Sequence, residues 1–146
     1  MPAKRRVTED EAATSCLCCK ARMAARSVTR SYDKALRSTG LRITQFTVLV
    51  AASVSGGMAL GQLAEILGLE RTTLSRNLSV LVKEGLIEVA NLDSRTRHIV
   101  LASAGKARLQ AALPVWSRAQ QRLQQKLGRE KWRNLQEDLT RLANAG

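Results

Sequence analysis

The sequence predicts a mainly α fold that contains one small β-hairpin, and three observations lead to this prediction. Apolar residues recur at steps of three and four along most of the 146 residues, which is the period of a buried helix face. Several of these patterns stop at a glycine, the residue that favours the left-handed conformation at a helix C-terminus. Between residues 86 and 101 the apolar residues alternate with other positions instead, which is typical of two strands.

The N-terminal third is predicted to contain a flexible tail over residues 1–14 and then two helices. The first helix begins at Ser15 and ends before Gly40. One of its faces is apolar, and the opposite face is a basic stripe of Arg22, Arg26, Arg30 and Lys34. The favoured interpretation of that stripe is a solvated helix face. The alternative is that it contacts flanking DNA phosphates or an acidic ligand. Thr44 is expected to cap the second helix, which ends at a Ser55-Gly56-Gly57 turn.

Residues 58–101 are predicted to form a winged helix-turn-helix. A short helix over Leu60–Leu67 is closed by Gly68, and a second helix with a buried leucine stripe runs to Gly85. Two short helices joined by a tight glycine-containing turn are typical of a helix-turn-helix. Strands over residues 86–91 and 97–101 follow directly, so their hairpin is the wing.

Residues 102–146 are predicted to form two more helices, separated at Gly128, with a kink or local break at Pro114. Their apolar stripes are too long to be buried on the 58–101 unit alone. We therefore expect a single domain over residues 15–146 in which 15–57 and 102–146 are the dimerisation helices of a homodimer.

Composition limits the function. Lys and Arg number 24 against 12 acidic residues, giving a net charge of +12 that favours a polyanionic partner. A single histidine, His98, and the lack of a glycine-rich phosphate motif argue against an enzyme, and no cofactor is expected. Without a membrane-spanning run or a signal peptide, the chain is expected to be cytoplasmic, with reduced thiols and no membrane contact. Residues 60–101 hold five basic and five acidic side chains, so charge alone does not make this unit a DNA-binding one.

The second helix of the motif carries the side chains best suited to double-stranded DNA. Arginine reads guanine edges, asparagine reads adenine edges, and hydroxyls reach bases or phosphates. In the hairpin, Arg95 suits a minor groove, Asp93 can orient a neighbouring arginine, and Arg97 is close by. The alternatives without DNA contact are a solvated helix face for the helix and an ordinary polar turn for the hairpin. The predicted contacts are Arg71, Thr72, Thr73, Ser75, Arg76, Asn77, Ser79, Asp93, Arg95 and Arg97.

These motifs resemble the multiple-antibiotic-resistance regulator (MarR) family over about residues 20–143. The resemblance is carried by Leu60–Gly85, by the Asp93-Ser94-Arg95-Thr96-Arg97 wing and by the Val100–Gly105 stretch, where Ala102-Ser103 is a mild departure. Leu41–Phe46 is similar as well. The resemblance implies a homodimer built from the first, fifth and sixth helices. It also implies binding to inverted-repeat operators and repression relieved by a phenolic ligand or by thiol oxidation.

All three cysteines, Cys16, Cys18 and Cys19, lie together at the predicted start of the first helix. Reactive thiols occur at helix N-termini and beside cations such as Lys20 and Arg22. The resemblance favours redox or sulfur-species sensing, although members that sense organic hydroperoxides hold the thiol with tyrosines, and this chain has only Tyr32. A soft-metal site shared between subunits and idle thiols are the alternatives.

A pocket for a small aromatic acid is a further possibility for the effector. Its candidate residues are Arg26, Arg30, Tyr32, Phe46 and Trp116, and plain core packing of the aromatic rings is the alternative. A different class of function is a basic architectural protein that binds DNA without sequence preference. A large affinity ratio between operator and scrambled DNA separates a regulator from such a protein.

Overall fold

The computed structural model describes residues 5–91 and 97–146, which form seven α-helices and three strands. The mainly helical fold with a small antiparallel sheet is confirmed. A 3-10 turn, Arg37–Thr39, follows the second helix. The helices are α1 (Glu9–Ser15), α2 (Leu17–Leu36), α3 (Ile43–Ser55), α4 (Leu60–Leu67), α5 (Arg71–Lys83), α6 (Ser103–Leu127) and α7 (Arg129–Ala143), and the strands are β1 (Met58–Ala59), β2 (Ile87–Asn91) and β3 (Arg97–Leu101).

The sheet has the order β1-β3-β2, with antiparallel pairing on both sides of β3. In the hairpin, Ile87 lies opposite Leu101 and Asn91 lies opposite Arg97. Strand β1 was not predicted, because two residues are too few to show alternation. The hairpin tip, residues 92–96, lies outside the described residues, and the predictions for Asp93 and Arg95 lie there with it.

The hydrophobic core lies around α3 and joins the helix-turn-helix to the sheet. Val48 and Leu49 of α3 are fully buried, and so are side chains from α4, α5 and the strands. Burying one such side chain stabilises the fold by roughly 1.5–3 kcal/mol. The shared core therefore holds α4, α5 and the hairpin as one unit. Its largest fully buried members are Leu36, Leu49, Leu63, Leu74, Leu81, Leu86, Ile87, Ile99 and Val48.

The N-terminus differs from the expected tail. Residues 9–15 are helical, with Thr8 Oγ1 accepting a hydrogen bond from the Glu11 amide at 3.1 Å. Acidic side chains in the first turn favour this helix because they face its positive dipole end. The chain then leaves helical geometry at Cys16, where ψ is 110°, before α2 begins. Neither glycine nor proline marks this break, so the sequence pattern did not reveal it.

Two other local expectations also differ. Thr44 does not cap α3, because the helix begins at Ile43 and Thr44 already lies inside its first turn. A kink or a local break was expected at Pro114, and helix α6 continues through this residue without a break. Proline removes one amide donor to the carbonyl of Gln110, and both residues are exposed, so water can satisfy that carbonyl. Among residues 5–91 and 97–146, none of the helices combines the length and the apolar composition that a membrane span requires.

Candidate nucleic-acid interface

Helix α5 presents a polar row to solvent on the side opposite its buried face. Its buried side chains are Leu74, Leu78 and Leu81. At 100° per residue, the positions that point the other way are spaced by four, three and four residues. They are Thr72, Arg76, Ser79 and Lys83, all exposed, and we call them the outer row of α5. Lys83 was not among the predicted contacts, although its four-residue spacing from Ser79 was the signal that could have identified it.

A groove runs beside the outer row, between α5 and the sheet. It has a volume of about 420 Å³, and Ser75 and Ser79 line it on the helix side. Arg97 of β3 lines it on the sheet side, at the end of the hairpin nearest the tip. The structure therefore brings Ser75, Ser79 and Arg97 together around one groove. Arg71 and Thr73 are exposed near the start of α5.

Asn77 differs in burial from the other predicted contacts that the structure describes, all of which are exposed. It is half-buried, and its Nδ2 donates a hydrogen bond to the Thr73 carbonyl at 2.9 Å. Its Oδ1 accepts a hydrogen bond from Thr44 Oγ1 of α3 at 3.2 Å. The amide of Asn77 thus has partners within the protein, on its own helix and on the neighbouring one.

Acidic side chains lie at the two ends of α5, where they frame the cationic residues. Glu70 is the N-cap residue and Glu84 is the C-cap residue. Glu84 Oε2 lies 3.8 Å from Arg108 Nη1 of α6, which also donates a hydrogen bond to the Thr39 carbonyl at 3.3 Å. The negative charge of Glu84 is therefore partly directed towards α6, leaving the exposed cations Arg76 and Lys83 as the charges of the outer row.

The three cysteines are exposed at the junction of α1 and α2. Cys16 is the N-cap residue of α2, and Cys18 and Cys19 lie in the first turn of that helix. The guanidinium Nη2 of Arg22 donates to Cys18 Sγ at 3.4 Å. The thiols are therefore accessible, and one of them has a cation beside it. Within residues 5–91 and 97–146, no group of three or more His, Cys, Asp or Glu side chains is arranged to hold a metal ion.

Of the three aromatic residues considered for a ligand pocket, Tyr32 and Phe46 are buried and Trp116 is half-buried against the core. The rings of Phe46 and Trp116 stack with centroids 5.8 Å apart, and Phe46 is buried. Tyr32 is also buried, and its hydroxyl donates a hydrogen bond to Gln120 Oε1. Burial raises the pKa of the Tyr32 phenol above its usual value. The two candidate arginines, Arg26 and Arg30, are exposed on α2. The packing of the aromatic rings favours the interpretation that they are core residues.

Comparison with known proteins identifies relatives of this arrangement. Residues 39–96 match the sequence profile of the MarR family. The crystal structure of the M. tuberculosis transcriptional regulator MosR is 37% identical, with a TM-score of 0.80 over 90% of this chain and 96% of that one. MosR in complex with DNA is 38% identical over 89% of this chain and 95% of that one, also with a TM-score of 0.80.

More distant structures share the fold. AbsC from Streptomyces coelicolor, described as a MarR family transcriptional regulator, is 23% identical. Its TM-score is 0.77, with 96% of each chain covered. No curated protein sequence matches the chain.

Proposed function

The chain belongs to the MarR family of transcriptional regulators, and from this premise we propose that it is a homodimeric repressor of an inverted-repeat operator, released when its N-terminal thiols are modified. The observation that carries the proposal is the outer row of α5. Four exposed side chains that can bind bases or phosphates lie on one line of the helix. A helix with such a row suits the major groove of DNA.

The DNA contacts follow from this placement. Arg76 lies in the middle of the outer row, where it can bind a guanine edge through both of its terminal nitrogens. Arg71, Thr72, Thr73, Ser75, Ser79 and Lys83 contact neighbouring bases or phosphates, and Arg97 contacts the backbone beside the groove. Asp93 orients Arg95, which enters the flanking minor groove. The solved complex of MosR with DNA supports this function, since MosR is a relative over nearly the whole chain.

The uncovered apolar faces support a homodimer. Within the fully described helix α7, no side chain is buried, and Leu135, Leu139 and Leu142 are 40%, 50% and 50% exposed. Residues 17–31 of α2 are likewise all exposed, including Met23. A second copy of the chain covers such faces and places two copies of α5 about 10 bp apart, one turn of DNA.

Thiol oxidation is the proposed release step. A hydroperoxide removes two electrons from two cysteine thiols, which form an S–S bond, while the peroxide is reduced to an alcohol and water. Cys16, Cys18 and Cys19 are exposed to such an oxidant, and Arg22 lies beside Cys18. A new disulfide bond at the α1–α2 junction changes the backbone conformation at the start of α2. The same helix carries part of the exposed surface that the second subunit is proposed to cover.

The first experiment measures binding of the reduced protein to a duplex from its own upstream promoter and to a scrambled duplex. We expect an affinity ratio of about 10³ or more for a specific regulator. Mild hydrogen peroxide should lower operator affinity, and dithiothreitol should restore it. A Cys16/Cys18/Cys19→Ser triple variant is the control, and its binding should not respond to peroxide.

Two other outcomes of this experiment would each refute a part of the proposal. Equal affinity for both duplexes would identify a non-specific architectural protein and refute the repressor. Specific binding that peroxide leaves unchanged would refute thiol release, and aromatic acids and soft metals would then be tested as effectors.

A further inference from the structure

The N-terminus of α3 is the point where three helices of the chain are joined by hydrogen bonds. Asp33 Oδ1 of α2 accepts a hydrogen bond from the Ile43 amide, the first residue of α3, at 2.7 Å. Gln45 Oε1 accepts one from the Arg42 amide at 3.0 Å. These first amides have no partner within a helix, so a carboxylate from α2 supplies what a local cap usually supplies. Thr44 is therefore not needed as a cap.

The hydroxyl of Thr44 bonds to α5 instead. Thr44 Oγ1 donates to Asn77 Oδ1 at 3.2 Å, and both residues are half-buried. The orientation of the Asn77 amide follows from its second contact at 2.9 Å, to the Thr73 carbonyl. A carbonyl can only accept, so the amide nitrogen must face Thr73 and the amide oxygen must face Thr44.

Asparagine reads adenine by offering its amide oxygen and its amide nitrogen together to one base edge. In this structure the two atoms already serve two different partners, one on each side of the amide. Thr72, Ser75, Arg76 and Ser79 of the same helix are exposed. Among the predicted contacts that the structure describes, Asn77 is therefore the half-buried one, and both ends of its amide already have partners in the protein.

We propose that Asn77 is a positioning residue that holds α5 against α3 through Thr44, while Asp33 holds α3 against α2. We refer to Asp33, Thr44 and Asn77 as the helix junction. This inference rests on the proposed function, in which α5 enters the major groove. In that function, the helix junction sets the angle at which the outer row of α5 meets the bases, and Asn77 itself reads no base.

The test uses Thr44, which lies on α3 and away from the outer row. Thr44→Val removes the hydroxyl at nearly constant volume, whereas Thr44→Ser keeps it and is the matched control. We expect Thr44→Val and Asn77→Ala each to weaken operator binding by about fivefold, the usual effect of one net hydrogen bond. The Thr44→Val/Asn77→Ala double variant should be no weaker than either single variant, and Thr44→Ser should bind as the wild type does.

Base discrimination is the readout that a base-reading Asn77 would change. The variants are measured on a series of operators, each with one base pair replaced, at a temperature where all are folded. Uniform weakening across the series supports positioning. Lost discrimination at a single A·T pair in Asn77→Ala, with wild-type binding by Thr44→Val, would overturn it.

A second readout needs no DNA and separates this inference from the proposed function. In the free protein, Thr44→Val, which leaves the sequence of α5 unchanged, should speed amide hydrogen exchange in α5 by about fivefold, while exchange in α7 is unchanged. Unchanged exchange in α5 would refute the helix junction. If the wild type shows no operator preference, the repressor fails, and the exchange result still decides on the junction.

Discussion

At the scale of single residues, Arg76 carries the clearest prediction about recognition. It is exposed in the middle of the outer row of α5. Arg76→Ala should weaken operator binding by about 1–3 kcal/mol and relax the preference at one base pair. Fluorescence anisotropy on operators with single replaced base pairs measures both effects.

Arg118→Ala is the matched control for this variant, because it removes the same charge from an exposed site on α6. It should lower affinity for all duplexes slightly and equally, since only a long-range charge is lost. If Arg76→Ala and Arg118→Ala behave alike, Arg76 does not read a base.

The sequence could predict which residues of α5 are exposed but not how each one is used. The leucine spacing is a local property, so the buried stripe and the polar face follow from it directly. The role of Asn77 depends on Thr44, which is distant in sequence and lies beside it only after folding. For the same reason, a cap supplied to α3 by Asp33 could not be foreseen, and Thr44 was the nearest candidate.

At the scale of elements, the joint between α6 and the sheet depends on Gly105. A Cβ at this position would lie 1.9 Å from the carbonyl oxygen of Leu86, just before β2. That oxygen also accepts a hydrogen bond from the Ala102 amide at 3.1 Å, so the backbone cannot move away freely. Gly105→Ala should therefore lower the free energy of unfolding by at least about 1–3 kcal/mol, as measured by urea unfolding.

Gly61→Ala provides the comparison for that measurement. Gly61 is exposed in α4, and an added Cβ would approach only the end of the Arg71 side chain, at 3.9 Å. Alanine is the better helix former, so no loss of stability is expected. Equal destabilisation by the two substitutions would show that the contact with Leu86 is not the cause.

Arg108 offers a second prediction at this scale, because it links α6 to two other elements. Arg108→Ala removes the hydrogen bond to the Thr39 carbonyl and should cost about 1 kcal/mol in the free energy of unfolding. Glu84→Ala removes only the half-exposed ion pair at 3.8 Å and should cost less than about 0.5 kcal/mol. If Glu84→Ala lowers the free energy of unfolding more than Arg108→Ala does, the hydrogen bond to Thr39 is not the larger contribution.

The elements themselves were largely predictable, and the exceptions have physical causes. Helices α2 to α7 follow from long apolar patterns that end near glycines, and the hairpin follows from alternation. The break at Cys16 has no residue type that announces it. Strand β1 is defined by its pairing with β3 over Met58 and Ala59, and this pairing between distant residues is a property of the folded sheet.

At the scale of the whole molecule, α7 carries the prediction about assembly. Leu139 lies in the middle of its uncovered apolar face and is 50% exposed. Leu139→Asp should lower the dimer association constant by at least about 100-fold, since each of two symmetric contacts loses a leucine and gains a charge. Sedimentation equilibrium measures this change.

Thr140→Asp adds the same charge on another side of α7 and should leave the dimer intact. A monomeric Thr140→Asp variant would mean that added charge, and not loss of the apolar contact, separates the subunits. A Leu139→Asp variant that stays dimeric would show that α7 is not at the dimer interface.

The central position of β3 has a consequence for engineering new DNA preferences. Because β3 pairs with β1 before the helix-turn-helix and with β2 after it, the hairpin belongs to one continuous folding unit with α4 and α5. A graft of α5 and the hairpin alone would replace β3 but leave the original β1 at its edge. The smallest segment that can be exchanged between related proteins without creating a mismatched sheet runs from Met58 to Leu101.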